Sequence, residues 1–137
     1  MPLQPLFIVW SDIHDTGINI IDEQHRGIVS TINSLFYFIN NSHGDVAVMP
    51  TLAMIEHYTQ VHFLSEEELM AQSGYPGKDE HKQLHQNLVL EMKRIKPHSR
   101  DYNGPVDLLQ FLKIWWTKHI NKIDHSYIKH IVAYLKS

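Results

Sequence analysis

The sequence of 137 residues contains no cysteine. This absence excludes disulfides, zinc–thiolate sites, iron–sulfur clusters and cysteine catalysis. No apolar run approaches the length of a membrane span, and the first five residues lack the basic and apolar regions of a signal peptide. Cationic residues are also few, since 12 Lys and Arg against 15 Asp and Glu give a formal net charge of -3. We therefore expect a cytoplasmic protein that binds neither a membrane nor a nucleic acid.

Histidine is abundant instead. The chain has 11 histidines, nearly as many as its 12 lysines and arginines together. Because histidine is the commonest metal ligand, this enrichment favours a metal site. The hydrophobic fraction of 43% and the charged fraction of 20% are ordinary for a globular protein. Length predicts a single domain over residues 1–137, which could also be the N-terminal part of a longer protein.

Apolar residues recur at helical spacing in four segments, and no strand pattern competes with them. Residues 1–19 are expected to form an irregular arm, because Pro2 and Pro5 oppose a helix. Asp22 resembles a helix start, and Pro50 fits the first turn of a second helix. The predicted helices span about 22–41, 50–72, 78–96 and 103–135. Short connections predict antiparallel neighbours, so the expected fold is an all-α, up-down-up-down antiparallel four-helix bundle with an N-terminal irregular arm.

Seven side chains that can bind metal fall on core-facing positions of these helices. Two pairs, His62 with Glu66 and His81 with His85, have members four residues apart and therefore on one helical face. The full set of candidate ligands is His25, His62, Glu66, His81, His85, His119 and Asp124. All four helices would then point ligands at one buried site, which is where helix bundles build metal centres.

A lone histidine such as His25 is more often a hydrogen-bonded core residue than a ligand. The joint pattern favours metal, because seven buried polar groups would each cost about 1–3 kcal/mol if left unsatisfied. Nitrogen and oxygen ligands without sulfur fit iron, manganese or zinc, and seven of them suit two metal ions bridged by carboxylates. Since most of the ligands are neutral imidazoles, a ferrous pair and reversible O2 binding are favoured over oxidation chemistry.

Asp124 is the least regular member of the set. Five residues of α-helix leave it about 140° from His119. Either the cluster is wide enough to be reached from both flanks, or the fourth helix is locally distorted.

The motifs together resemble the hemerythrins, most closely the bacterial hemerythrin domains, from Trp10 to about Tyr127. The matching segments are Ile21-Asp22-Glu23-Gln24-His25, His62-Phe63-Leu64-Ser65-Glu66-Glu67, Tyr75-Pro76 with His81 and His85, and His119-Ile120 with Asp124 and Tyr127. Each is modest by itself, but their shared order and spacing are highly specific.

The resemblance implies a centre of two iron ions with an oxo or hydroxo bridge. It implies that His81, His85 and His119 hold one iron, that His25 and His62 hold the other, and that Glu66 and Asp124 bridge them. The iron with fewer ligands would keep an open position for O2. Phe63, Trp115 and Ile120 would line an apolar O2 pocket together with Trp116, which replaces a common leucine. Trp116 could narrow the route for O2 and water, or simply fill the core.

Several residues receive a secondary role or none. Asp22 and Gln24 could orient ligand imidazoles, because a metal-bound histidine usually donates its other N–H, although Asp22 could equally be a helix cap. Glu67 competes with Glu66 as a ligand, and the spacing from His62 favours Glu66. The histidines predicted not to bind metal are His14, His43, His57, His98, His125 and His130.

The leading functional prediction is reversible O2 binding, in an oxygen carrier or in a sensor domain that could be fused to a signalling output. A di-iron oxidase, peroxidase or nitric oxide reductase is an alternative, but no acid–base group for such a reaction is evident near the expected open iron. A helical metal-storage or structural module is the third. The oligomeric state is open.

Overall fold

The computed structural model of the chain describes the backbone of residues 6–123 and 125–137, and the side chains of residues 6–120 and 127–137. It contains five α-helices: α1 (Asn19–Asn40), α2 (Gly44–Ser73), α3 (Lys78–Ile95), α4 (Gly104–Ile114) and α5 (His125–Lys136). A π-helical segment, Trp115–Ile123, continues α4, and α5 begins two residues after it ends. The described residues include no strand, which confirms the predicted all-α bundle.

Two of the predicted helix starts were wrong. The second helix begins at Gly44 rather than near Pro50, because burial of Ala47 and Val48 outweighs the hydrogen bond that Pro50 cannot make inside the helix. Gly44 lies against Ile39 and Pro105, where a Cβ would come within 2.9 Å of the Ile39 side chain. The close packing at this end of the bundle therefore favours the longer helix.

The first helix begins at Asn19, three residues before the predicted start at Asp22. Asp22 lies in the first turn, where a carboxylate interacts favourably with the helix dipole. Its Oδ1 accepts hydrogen bonds from the backbone N–H of Thr16 at 2.8 Å and from the Thr16 hydroxyl at 2.7 Å. Asp22 thus fixes the end of the arm.

The fourth helix is the third correction to the predicted boundaries. It is divided into α4, the π-helical segment and α5, so that His119 lies in π-helical rather than α-helical backbone. The π-helical segment corresponds to the local distortion of the fourth helix, one of the two alternatives that the spacing of His119 and Asp124 allowed. The loops before α2 and α3 cover only residues 41–43 and 74–77, and α2 contacts α1, α3, α4 and α5.

Two apolar clusters divide the core along the bundle. The larger includes Ile28, Ile55 and Ile120, and the smaller includes Ile21 and Met70. On α1, His25 lies between Ile21 and Ile28, and on α2 both His62 and Glu66 lie between Ile55 and Met70. The candidate ligands that the structure describes therefore form a polar layer between two apolar ones.

The arm crosses α1 and is held by one asparagine. Asn33 Oδ1 accepts the backbone N–H groups of Phe7 and Ile8 at 2.9 and 2.8 Å, and its Nδ2 donates to the Ile8 carbonyl at 2.9 Å. The Arg26 guanidinium lies 4.8 Å from the ring centroid of Trp10. The arm also contains a short 3-10 turn over Asp12–His14. Among the described helices, none is long and apolar enough to cross a membrane.

Candidate metal centre

Six of the seven predicted ligands come together in the polar layer. They form two groups whose ligand atoms lie within 4.8 Å of one another: His25, His62 and Glu66 in one, and His81, His85 and His119 in the other. All six side chains are buried, with 0–4% of their surface exposed. Asp124, the seventh, lies outside the described residues.

The Glu66 carboxylate joins the two groups. Its Oε1 contacts Nε2 of His62, while its Oε2 lies 2.9 Å from Nε2 of His81. The same Oε2 is 3.5 Å from Nε2 of His85. One oxygen thus faces each group, which is the geometry that a carboxylate bridging two metal ions requires.

The α1–α2 half of the centre brings two imidazole nitrogens together. Nε2 of His25 and Nε2 of His62 are 3.3 Å apart. The His62 Nδ1–H donates to Oε1 of Gln24 at 3.0 Å, and Nε2 of Gln24 donates to the Ser65 hydroxyl at 2.8 Å. Because this network places the His62 proton on Nδ1, the Nε2 lone pair is directed to the centre. Gln24 therefore has the contact expected of a residue that orients a ligand.

The α3 half is oriented by a different group. His85 Nδ1–H donates to Oε2 of Glu67 at 2.9 Å, which leaves Nε2 for the centre. Within the described structure, this buried Nε2 has no hydrogen-bond partner. Sequence reasoning treated Glu67 only as a competitor of Glu66. The sequence offered one signal for this role. Glu67 directly follows Glu66 on α2, so it can face the neighbouring helix α3, which carries His85.

These contacts test whether the residues fit a metal centre. A carboxylate and several imidazole nitrogens converge in a buried space, where they have lost their hydration. A cation bound between them would neutralise the carboxylate and accept the imidazole lone pairs. The donor set of nitrogen and oxygen without sulfur is suited to iron, manganese or zinc.

Aromatic rings lie against the imidazoles of both halves. The Phe63 ring stacks on His85 with a centroid distance of 3.8 Å and lies 6.5 Å from Trp115. Trp116 lies on the other side, 5.9 Å from the ring of His25. The four residues predicted to line the O2 pocket, Phe63, Trp115, Trp116 and Ile120, are all buried.

His14 belongs to the arm and was predicted not to bind metal, but it contacts the aromatic residues beside the centre. It is buried, and its ring centroid lies 5.5 Å from that of Trp116 and 5.2 Å from that of Trp10. The Ser11 backbone N–H donates to its Nδ1 at 3.1 Å. His14 thus helps to cover the α1 side of the centre.

Of the other rejected histidines, His43, His57 and His98 are exposed, and His125 has no described side chain. His130 is half-buried, and its Nε2 lies 2.7 Å from the Ser73 carbonyl at the end of α2. These positions place the described members of the set away from the centre.

A solvent-facing cavity of about 430 Å³ adjoins the α3 half. Its walls include Phe63, Glu67, Lys82, His85 and Val89. His85 therefore belongs both to the wall of this cavity and to the group of converging ligand atoms.

Fold and site together define a helical-bundle protein with a buried centre for two metal ions. Residues 16–131 match the sequence model of the Hemerythrin HHE cation binding domain, so the chain belongs to the hemerythrin family. It is 32% identical to the bacteriohemerythrin of Stenotrophomonas maltophilia over 132 residues, which cover 93% of this chain and 84% of that protein.

Two further relatives are similar over most of their length. Identity to the bacteriohemerythrin of Pseudomonas paraeruginosa is 31% over 122 residues, covering 88% of this chain and 79% of that protein. Identity to the myohemerythrin of the animal Theromyzon tessulatum is 27% over 118 residues, covering 86% and 88%. Proteins of this family bind O2 at a di-iron centre, which confirms the predicted cofactor and fits the prediction of a binding protein.

Proposed function

We propose that this chain binds O2 reversibly at two iron ions held in the polar layer of the bundle. The proposed ligands are His25, His62, Glu66, His81, His85, His119 and Asp124. The observation that carries the proposal is the position of Glu66, whose two carboxylate oxygens face the two separate groups of imidazoles. A carboxylate in this position suits a pair of metal ions better than a single one.

The two groups supply unequal numbers of imidazoles. His81, His85 and His119 would hold one iron, and His25 and His62 the other. The group with two imidazoles would therefore hold its iron with fewer protein ligands and leave room for O2, and a ferrous pair would supply the electrons that O2 binding needs.

Asp124 enters the proposal as the second bridge. Its assignment rests on the resemblance of its motif and on the backbone that precedes it. In a π-helix the hydrogen bonds join residues five apart, so such residues share a face more closely than they do in an α-helix. His119 itself lies within the π-helical segment Trp115–Ile123.

The protein residues have two roles in O2 binding in this proposal. Gln24 and Glu67 hold two imidazoles in the tautomer that binds metal. Buried Phe63, Trp115 and Ile120 keep the surroundings apolar, which favours a small neutral ligand and excludes water. These roles are orientation and exclusion, and they suit a binding protein.

Optical spectroscopy tests the proposal. Protein loaded with ferrous iron is mixed with O2 and then returned to anaerobic buffer. An O2-dependent charge-transfer band that disappears on deoxygenation is the expected result. Turnover of a substrate would instead support an enzyme, and zinc that iron cannot replace would support a structural module.

A carrier and a sensor would share this chemistry, and they differ in what O2 does to the rest of the bundle. Hydrogen exchange measured on the deoxy and oxy forms separates the two roles. Protection changes confined to the polar layer indicate a carrier, whereas changes that extend to exposed helical surfaces indicate a sensor domain.

A further inference from the structure

One imidazole in each half of the centre is oriented by a chemically different group. His62 donates its Nδ1–H to the neutral amide oxygen of Gln24 at 3.0 Å. His85 donates its Nδ1–H to a carboxylate oxygen of Glu67 at 2.9 Å. The distances are nearly equal, so the main difference between the two contacts is the negative charge of Glu67.

The surroundings of each orienting residue match its charge. Gln24 is 7% exposed and its amide nitrogen donates to Ser65, so a buried neutral group is fully hydrogen-bonded. The Glu67 side chain keeps 22% of its surface exposed, and it lines the solvent-facing cavity together with Lys82. The Glu67 carboxylate therefore keeps contact with solvent, which a charged group needs.

We propose that Glu67 is a positioning residue that makes the two iron sites unequal, by strengthening His85 as a ligand and favouring the ferric state in the α3 half. The proposal rests on the proposed function. An imidazole that donates to a carboxylate carries more electron density on its other nitrogen and is the more basic ligand. A more basic ligand stabilises the more highly charged ion, so a ferric ion gains more than a ferrous ion.

The consequence is a division of roles between the halves. The α3 half, with three imidazoles and the carboxylate contact, would be the one that is more easily oxidised. The α1–α2 half, with two imidazoles and a neutral amide contact, would give up its electron less readily and would keep its place for O2. Glu67 would thus influence O2 binding through His85, without contacting O2 itself.

The test compares Glu67→Gln, Glu67→Ala and a matched control, Glu68→Gln. Gln at position 67 keeps an acceptor oxygen for His85 but removes the charge. Glu68 is an exposed neighbour that accepts a hydrogen bond from Gln72 at 2.9 Å, so its substitution removes the same charge from the surface. All three variants are loaded with metal and compared with the wild-type protein by circular dichroism before use.

The first readout is zinc affinity, which does not depend on O2 or on redox chemistry. In Glu67→Ala, one of the two zinc-binding equilibria is expected to weaken by about 10- to 100-fold, with the other changing much less. Glu67→Gln should restore part of this loss, because the imidazole is still oriented. Glu68→Gln should match the wild type.

The second readout is the reduction potential of the iron-loaded protein, which a purely steric role would leave unchanged. Glu67→Gln is expected to raise it, by about 59 mV for each tenfold loss of ferric over ferrous affinity. Mössbauer spectra should show that the two iron sites become more alike.

Two results would overturn the proposal. The first is that Glu67→Gln has the same reduction potential and the same Mössbauer spectrum as the wild-type protein. The other is an equal shift in Glu68→Gln, which would assign the effect to net charge. Failure of the proposed function is a different outcome, because the wild-type protein itself would then bind fewer than two irons or show no O2-dependent band.

Discussion

The two halves of the centre differ in how they meet the outside of the molecule. On the α1–α2 side, Trp116 covers His25, and His14 and Trp10 of the arm cover Trp116. On the α3 side, a single stacked pair, Phe63 on His85, lies beneath a cavity open to solvent. The α1–α2 side, which is proposed to bind O2, is thus covered by several layers of aromatic rings. The α3 side, which is proposed to have no free coordination position, is covered by one.

This difference indicates that the protein excludes water more thoroughly on the α1–α2 side than on the α3 side. An open coordination position beside iron needs a dry surrounding, because water would compete for it and assist loss of the bound gas. A site with three imidazoles has no such position and tolerates a thin wall. The comparison therefore predicts that substitutions on the two sides affect the centre differently. A substitution of the residue that both sides share should have the largest effect on iron content.

Glu66 is the shared residue, and its substitution should have the largest effect. Glu66→Ala removes a ligand from both proposed sites and leaves buried imidazoles facing one another, so iron content should fall well below two per chain. Stability should fall as well, because metal-binding energy contributes to folding energy. Metal analysis and thermal unfolding measure both effects. Retention of two irons in Glu66→Ala would mean that the ligand assignment is wrong.

Trp116 tests the covered side. Trp116→Ala should cost roughly 3–5 kcal/mol of unfolding free energy, since the indole is buried against His25 and the arm. The variant is also expected to bind O2 faster and to autoxidise faster, because the space it leaves admits both O2 and water. Stopped-flow mixing and the decay of the oxygenated spectrum measure these rates. Unchanged rates in a folded, iron-loaded variant would show that Trp116 is simply packing.

Asn33 tests the outer layer of the same side. Asn33→Ala removes the three hydrogen bonds that hold Phe7 and Ile8, and should cost about 1 kcal/mol or somewhat more. Autoxidation should rise less than in Trp116→Ala, since Trp116 itself stays in place. Ser34→Ala is the matched control, because its hydroxyl only donates to the Ser30 carbonyl one turn earlier. Equal autoxidation in the two variants would mean that the arm does not protect the centre.

Substitution of His57 should have the smallest effect on the centre. It is exposed on α2, nine residues before Glu66. His57→Ala should change neither the iron content nor the optical spectrum, which metal analysis and absorption spectroscopy can show. Loss of iron in this variant would indicate that histidines outside the polar layer contribute to metal binding.

Much of the centre could be predicted from spacing alone. His62 with Glu66, and His81 with His85, are four residues apart, and a regular helix necessarily places such pairs on one face. The two residues of α2 then had to meet the two of α3, because both pairs lie among core positions. Gln24 was also predictable, since it precedes a candidate ligand in a motif that resembles a family pattern.

The π-helical segment was not predictable in the same way. A change from i→i+4 to i→i+5 hydrogen bonding depends on tertiary packing, and the residues from Trp115 to Ile123 also suit an α-helix. Similarly, the start of α2 depended on burial of Ala47 and Val48, which only the folded chain reveals. His14 was missed because its burial depends on Trp116, more than a hundred residues later in the sequence.

The most direct test of the two-iron centre is the number of irons bound per folded chain. Wild-type protein is reconstituted with ferrous iron, freed of unbound metal by gel filtration, and analysed for iron and protein. Two halves joined by Glu66 predict about two irons per chain, as expected for seven nitrogen and oxygen ligands. One iron per chain, or none, would contradict the di-iron centre.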